Sequence, residues 1–185
     1  MIVVYVVIGV VVLLLVVAVF LFNRLVRLRN EVNTGWSNID VQLKRRNDLI
    51  PNLIESVKGY AAHERAVFDE VTSARAAVAG ASSPAAAGAA DTILGQALGR
   101  LFAVAEAYPD LKASENFRQL QAELTDTEDK IAAARRYYNA TVQAYNTATQ
   151  TFPSLLLAGP FGFRTREFFA AQQDERAPVA VSFQP

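Results

Sequence analysis

Only a few residues in this chain have the types and spacing that chemistry needs, and each is short of a partner. His63-Glu64 begins like the helix of a zinc protease. That helix places a second His four residues after the first, where two imidazoles share one face and hold the metal. Position 67 is Val67, and the chain contains a single His. A His-rich metal site and a Ser-His-Asp triad within one chain therefore lack support, and His63 is expected on the surface. Glu123, Asp126, Glu128 and Asp129 are close enough for a weak oxygen site for a divalent cation, with Asp126 and Asp129 on nearly one side of a helix. A solvated acidic face is the plainer reading. The carboxylate bundles that hold two metals need Glu-x-x-His pairs, which this sequence lacks. No Gly-rich phosphate loop is present. Asn139-Ala140-Thr141 has the form of a glycan acceptor but falls mid-helix. No cofactor and no small-molecule substrate are expected, and the chain reads as a non-enzyme.

Five residues carry more weight: Trp36, Arg46, Arg135, Asn139 and Asn146. Arg46 occupies a position where the surrounding pattern asks for an apolar side chain. Asn139 and Asn146 lie one step from a row of tyrosines, and Arg135 flanks the same row. Polar groups beside a helix seam can fix register at some cost in stability, and they can equally bind a partner. For Trp36, core packing is the default and a protein interface the alternative.

These residues must be positioned by helices. From Leu25 onward two apolar rows recur every seven residues. Leu25, Val32, Ile39, Leu53, Tyr60, Val67 and Ala74 form one. Trp36, Leu43, Ile50, Val57, Val71 and Val78 form the other. A repeat kept this long means helices packed lengthwise. Pro51 interrupts the pattern without changing its phase, which favours a kink over a new helix capped by Asp48. Gly80 to Asp91, with its Ser, Pro and Gly, reads as a linker. A shorter helix follows from about Thr92 to Tyr108, capped by Asp91 or Thr92. Ser114 then caps a long helix that runs to Phe152 and stops at Pro153. Its rows are Phe117, Leu124, Ile131, Tyr138, Tyr145 and Phe152, and Leu120, Thr127, Ala134, Thr141 and Ala148. Beyond Pro153 the chain is apolar but too short to span a membrane again; Thr165 to Gln173 reads as a short helix and Ala177 to Pro185 as extended.

Ahead of all this stands Met1 to Phe22, without a charge and composed almost wholly of Val, Ile, Leu and Phe. As a helix, Ile2 to Phe22 rises about 31 Å, close to the roughly 30 Å of a hydrocarbon core. A cleaved signal peptide would need a basic start, a shorter apolar run and a small-residue cleavage site. A transmembrane helix fits better. Arg24, Arg27 and Arg29 follow the span and nothing basic but the α-amino group precedes it, which predicts the N-terminus outside and the C-terminal domain in the cytoplasm. The expected division is a transmembrane anchor over 1–23, a helical bundle over 24–153 and an apolar, irregular tail over 154–185. The fold class is all-α: one N-terminal transmembrane helix continuing into an elongated antiparallel bundle of three to four helices, two of them long.

Charge and composition bound the partners. Lys plus Arg and Asp plus Glu number 18 each, giving no net charge, which argues against nucleic acid. The absence of Cys removes disulfides and thiolate metal sites. The lipid bilayer is the first partner, with a homo-oligomer or another membrane protein as the next.

The stretch from Trp36 to Ile54, WSNIDVQLKRRNDLIPNLI, resembles the long first motif of the LemA family. Val57-Lys58-Gly59-Tyr60-Ala61 with His63-Glu64 continues it. Tyr108-Pro109-Asp110-Leu111-Lys112-Ala113, Phe117 with Leu120-Gln121 and Glu123-Leu124, Thr127-Glu128, Arg135-Arg136-Tyr137-Tyr138-Asn139, Tyr145-Asn146 and Phe152-Pro153-Ser154 supply the rest. The likeness covers about Arg29 to Phe169. The tail departs from it: Gly162-Phe163-Arg164-Thr165 stands where a Lys-Pro pair would follow the Phe. The resemblance implies a bacterial inner-membrane protein with one N-terminal span and a helical bundle, whose biochemical role is poorly defined. It also implies one relative that acts in building magnetosome membranes and others encoded near a membrane metalloprotease. Three functions follow: a membrane-anchored, non-enzymatic scaffold or adaptor; an accessory modulator of a membrane protease or envelope quality-control complex, with that metalloprotease as partner; and a membrane-shaping homo-oligomer.

Overall fold

A computed structural model describes residues 1–61 and 63–169. Those residues form six helices and no strand. They are α1 (Ile2–Lys58), α2 (Arg65–Ala79), α3 (Pro84–Glu106), α4 (Pro109–Ala113), α5 (Glu115–Gln150) and α6 (Leu155–Ala158). The protein is all-helical, with a long apolar N-terminal helix followed by a helical bundle. Two compact units are present. One combines Met1–Ile39 with Ala133–Phe168, and the other is built on Asp40–Ala132.

In the first unit, the beginning of α1 is exposed on every side as far as Val16, as expected of a helix with no protein neighbour there. It is long and apolar enough to cross a membrane. Burial starts with Leu25, Val32 and Ile39, one predicted row, and Tyr138, Val142 and Tyr145 of α5 are buried in the same unit. Gly35 lies against α5. A Cβ there would stand 3.3 Å from the Tyr138 Cα and 3.4 Å from the Thr141 Oγ1. The glycine that weakens α1 by about 1 kcal/mol in isolation thus allows the neighbouring backbone to approach.

In the second unit the chain turns back at Gly59-Tyr60. This corrects the reading of one seam running on to Val78. Tyr60, placed in an apolar row, is 47% exposed because α1 ends at Lys58 and the row ends with it. α2 returns along α1: Lys58 lies over the Phe68 ring, and Arg75 reaches Asn47. Phe68, Val71, Ala74 and Val78 are its buried face.

Pro51 sits inside α1, which stays helical through it, so Asp48 begins no new helix. A proline lacks the N–H that would bond the carbonyl four residues earlier, here that of Asn47. Arg75 Nε donates to the Asn47 carbonyl oxygen at 2.9 Å and fills that vacancy from α2. Replacing Arg75 by Met is expected to cost about 1–2 kcal/mol, the cost of a lost hydrogen bond to a part-buried acceptor. In a Pro51→Ala background the restored N–H should shrink that cost to a few tenths. Thermal unfolding of the two single variants and the double variant checks this; equal losses in both backgrounds would refute the compensation.

The predicted linker Gly80–Asp91 is a second correction. Only Gly80 to Ser83 is loop. Ser83 caps α3, its Oγ accepting from the Ala86 N–H at 3.2 Å, and Pro84 occupies the first turn. Proline is well placed there because the N–H it lacks would have no helical partner. The Ala-rich run that reads as low complexity is helix, with Ala87, Gly88 and Ala90 buried. α3 therefore starts about two turns earlier than expected.

α5 follows Ser114 directly and buries Phe117, Leu124, Ile131, Tyr138 and Tyr145 from one predicted row. Phe152 is the exception. It is 79% exposed, because the helix ends at Gln150 and the chain turns at Thr151–Ser154. The short helix expected over Thr165–Gln173 is not formed in its described part. Residues 163–169 have no regular structure, and the only helix beyond α5 among the described residues is α6. The rest of that expectation, and the extended reading of 177–185, fall outside the described residues.

Candidate functional site

In the second unit, Arg46 binds carboxylates from two other helices. Its heptad position turns the side chain into the helix interface, where the residue is 4% exposed. Nη1 donates to Asp91 Oδ1 of α3 at 2.8 Å, and Nη2 lies 2.8 Å from Glu128 Oε2 of α5. One guanidinium thereby ties α1, α3 and α5 together. Asp91 is 2% exposed, while the Glu128 side chain is 40% exposed and opens to water. A cavity of about 480 Å³ adjoins the pair. Gly95, Gly99 and Phe102 of α3 and Leu124, Glu128 and Asp129 of α5 line it, and Arg46 forms part of its wall. A guanidinium offers five N–H donors in a fixed fork and no acceptor, so it orients the carboxylates it binds.

The acidic run on α5 separates into different jobs. Glu128 joins Arg46. Asp126 accepts from Lys130 Nζ at 2.7 Å, one turn on, and that hydrogen bond holds the exposed carboxyl below its ordinary range. Among the described residues no group of three or more acidic or His side chains is placed to hold a metal ion. His63 is exposed.

The remaining predicted residues lie in the first unit. Trp36 is half-buried, with its ring 5.9 Å from that of Tyr138. Arg135 is buried and Asn139 is half-buried. Asn146 fastens the extended segment after α6: its Nδ2 donates to the Arg166 carbonyl at 2.9 Å, and its Oδ1 accepts from the Arg166 N–H at 2.8 Å. Tyr138 Oη donates to the Glu167 carbonyl at 2.8 Å. Burial pushes the phenols of Tyr138 and Tyr145 above their ordinary value. The structure thus places Arg46 in one unit and the other four candidates in the other.

Asp91 and Glu128 were not recognised in the sequence as partners of Arg46. The signal for Asp91 was present. If α3 starts at Pro84, Asp91 is seven residues before Leu98 and fourteen before Ala105, a charge in a seam that matches the charge of Arg46 in its own seam. Reading Asp91 as a helix cap hid this.

The family model described as LemA family matches residues 35–183. The chain belongs to the LemA family. Among curated LemA-family relatives, Magnetosome protein MamQ of Magnetospirillum gryphiswaldense is 28% identical over 184 residues, covering 85% of this chain and 68% of the relative. Magnetosome protein MamQ 2 of Paramagnetospirillum magneticum is 27% identical over the same length, with the same coverage. Protein LemA of Metamycoplasma hominis is 29% identical over 164 residues, covering 86% of this chain and 74% of its own.

Proposed function

We propose that this LemA-family chain is a membrane-anchored, non-enzymatic helical scaffold or adaptor of the bacterial inner membrane. In this reading residues 1–23 anchor, 24–153 form the working bundle and 154–185 are an apolar tail. The N-terminus is outside and the bundle cytoplasmic, from the arginines that follow the span. The observation that carries the proposal is α1 itself. It is one unbroken helix whose exposed apolar start is continuous with a stretch packed on α5. Such a helix couples a bilayer to a helical surface without a hinge. Arg46, Arg135, Asn139 and Asn146 then serve register and packing, and Trp36 a core contact.

The names of two relatives as magnetosome proteins favour a second reading, a homo-oligomer that shapes membrane. Cross-linking the full-length protein in its native membrane, then weighing the products, separates the two. A defined band with a second protein supports the adaptor. A ladder of this chain alone supports self-assembly, and overexpression should then alter membrane shape. Extraction of the chain from membranes by alkaline carbonate would overturn both.

A further inference from the structure

The first unit carries a second apolar feature beside the start of α1. The Phe22 ring meets the rings of Phe161 and Phe163 edge-on, at 5.2 and 5.6 Å. An apolar recess of about 230 Å³ lies between Ala18, Val19 and Phe22 of α1 and Leu157 and Phe161. Phe163 is buried and stacked under Arg29, whereas Phe152, Leu155, Leu156 and Phe161 are 79%, 51%, 65% and 57% exposed. Four large, exposed apolar side chains within residues 152–161 make a surface that water disfavours. The loop is held in place. The Phe163 N–H bonds the Ala158 carbonyl, and Asn146 grips Arg166 from both sides of its peptide.

Depth identifies the occupant. Phe22 ends the uncharged run, about 31 Å of helix after Ile2, so a loop packed on it lies at the boundary between acyl chains and headgroups. Exposed Arg24 and Arg27 follow Phe22, and exposed Arg164 and Arg166 follow the loop. Guanidinium groups beside an apolar patch match the charge of anionic headgroups.

We propose that residues 152–161 are an interfacial foot. Phe152, Leu155, Leu156 and Phe161 enter the acyl-chain boundary, a lipid chain fills the recess against Ala18 and Phe22, and the four arginines contact anionic headgroups. This rests on the anchored reading above and adds a second, non-spanning membrane contact to it.

The chain contains no Cys, so single cysteines can carry an environment-sensitive fluorophore. Leu156→Cys tests the foot, Leu13→Cys the span and Gln143→Cys an exposed position on α5. The full-length labelled proteins are reconstituted into vesicles of mixed zwitterionic and anionic phospholipid. The Leu156 probe should be quenched several-fold more by a nitroxide near the lipid headgroup than the Gln143 probe, and should resist aqueous iodide. The Leu13 probe should respond to a nitroxide deep in the acyl chain. Iodide access at Leu156 equal to that at Gln143, with Leu13 still in lipid, would overturn the foot and leave the anchor standing. Iodide access at Leu13 would overturn the anchor itself. Unchanged Leu156 quenching in wholly zwitterionic vesicles would overturn the role given to the arginines.

Discussion

Replacing Arg46 by Ala is expected to lower the unfolding free energy by about 3–5 kcal/mol, the cost of removing one member of a buried ion pair. The group most affected is Asp91, which is 2% exposed and loses its 2.8 Å ion-pair contact with Arg46. Glu128 behaves differently. Its side chain is 40% exposed and can turn to water, so Glu128→Gln should cost less than about 1 kcal/mol. The decisive variant is Arg46→Met with Asp91→Leu, which removes both charges and keeps apolar volume. It should recover most of the loss, because a buried ion pair owes much of its strength to the penalty of breaking only one side. Thermal unfolding of the full-length chain in detergent, followed by far-ultraviolet circular dichroism, measures all four proteins. Equal small losses for Arg46→Ala and Glu128→Gln would refute the account.

Tyr138→Ala should cost about 3–5 kcal/mol, as for other large buried aromatics. The side chain is 2% exposed, packs on Trp36 and donates its hydroxyl to Glu167. Tyr138→Phe keeps the ring and loses one hydrogen bond, so about 1 kcal/mol is expected. The same phenol predicts a pH dependence. Burial raises Tyr138 and Tyr145 in the folded state, while the unfolded chain ionises near pH 10, roughly the ordinary tyrosine value. Below that pH both states keep the proton and the stabilisation is complete. Above it the unfolded state loses protons first, so stability falls as pH rises through the folded-state values. Tyr138→Phe should fall less steeply in alkali than the parent. Identical slopes would mean that Tyr138 ionises as freely when folded as when unfolded.

How legible the fold was depended on what each residue reports. The rows through Leu25, Val32 and Ile39 and through Phe117, Leu124, Ile131, Tyr138 and Tyr145 could be read directly, because a seam repeats its chemistry every seven residues. The end of α1 could not. The repeat resumes in α2 in the same phase, so Tyr60 and Val67 look like a continuation although the chain turns between them. The Ala-rich start of α3 misled for the opposite reason. Ala, Ser, Pro and Gly suit both a loop and a tightly packed capped helix, and burial against neighbours decides between them. Asn146 was legible as a polar group near a seam. That it grips the backbone of Arg166, twenty residues on, was not.

The sequence alone determined that the described chain is helical, that it carries an N-terminal apolar helix long enough to cross a membrane, and which residues within α1 and α5 face the seams. These are matters of local composition and period, which each segment carries by itself. Only the tertiary structure decided that Arg75 repairs the gap left by Pro51, that Arg46 meets Asp91 and Glu128, and that Phe161 and Phe163 return to Phe22. Each of these joins groups far apart in the chain, and polar and aromatic side chains choose such partners by position in space, which no local pattern records.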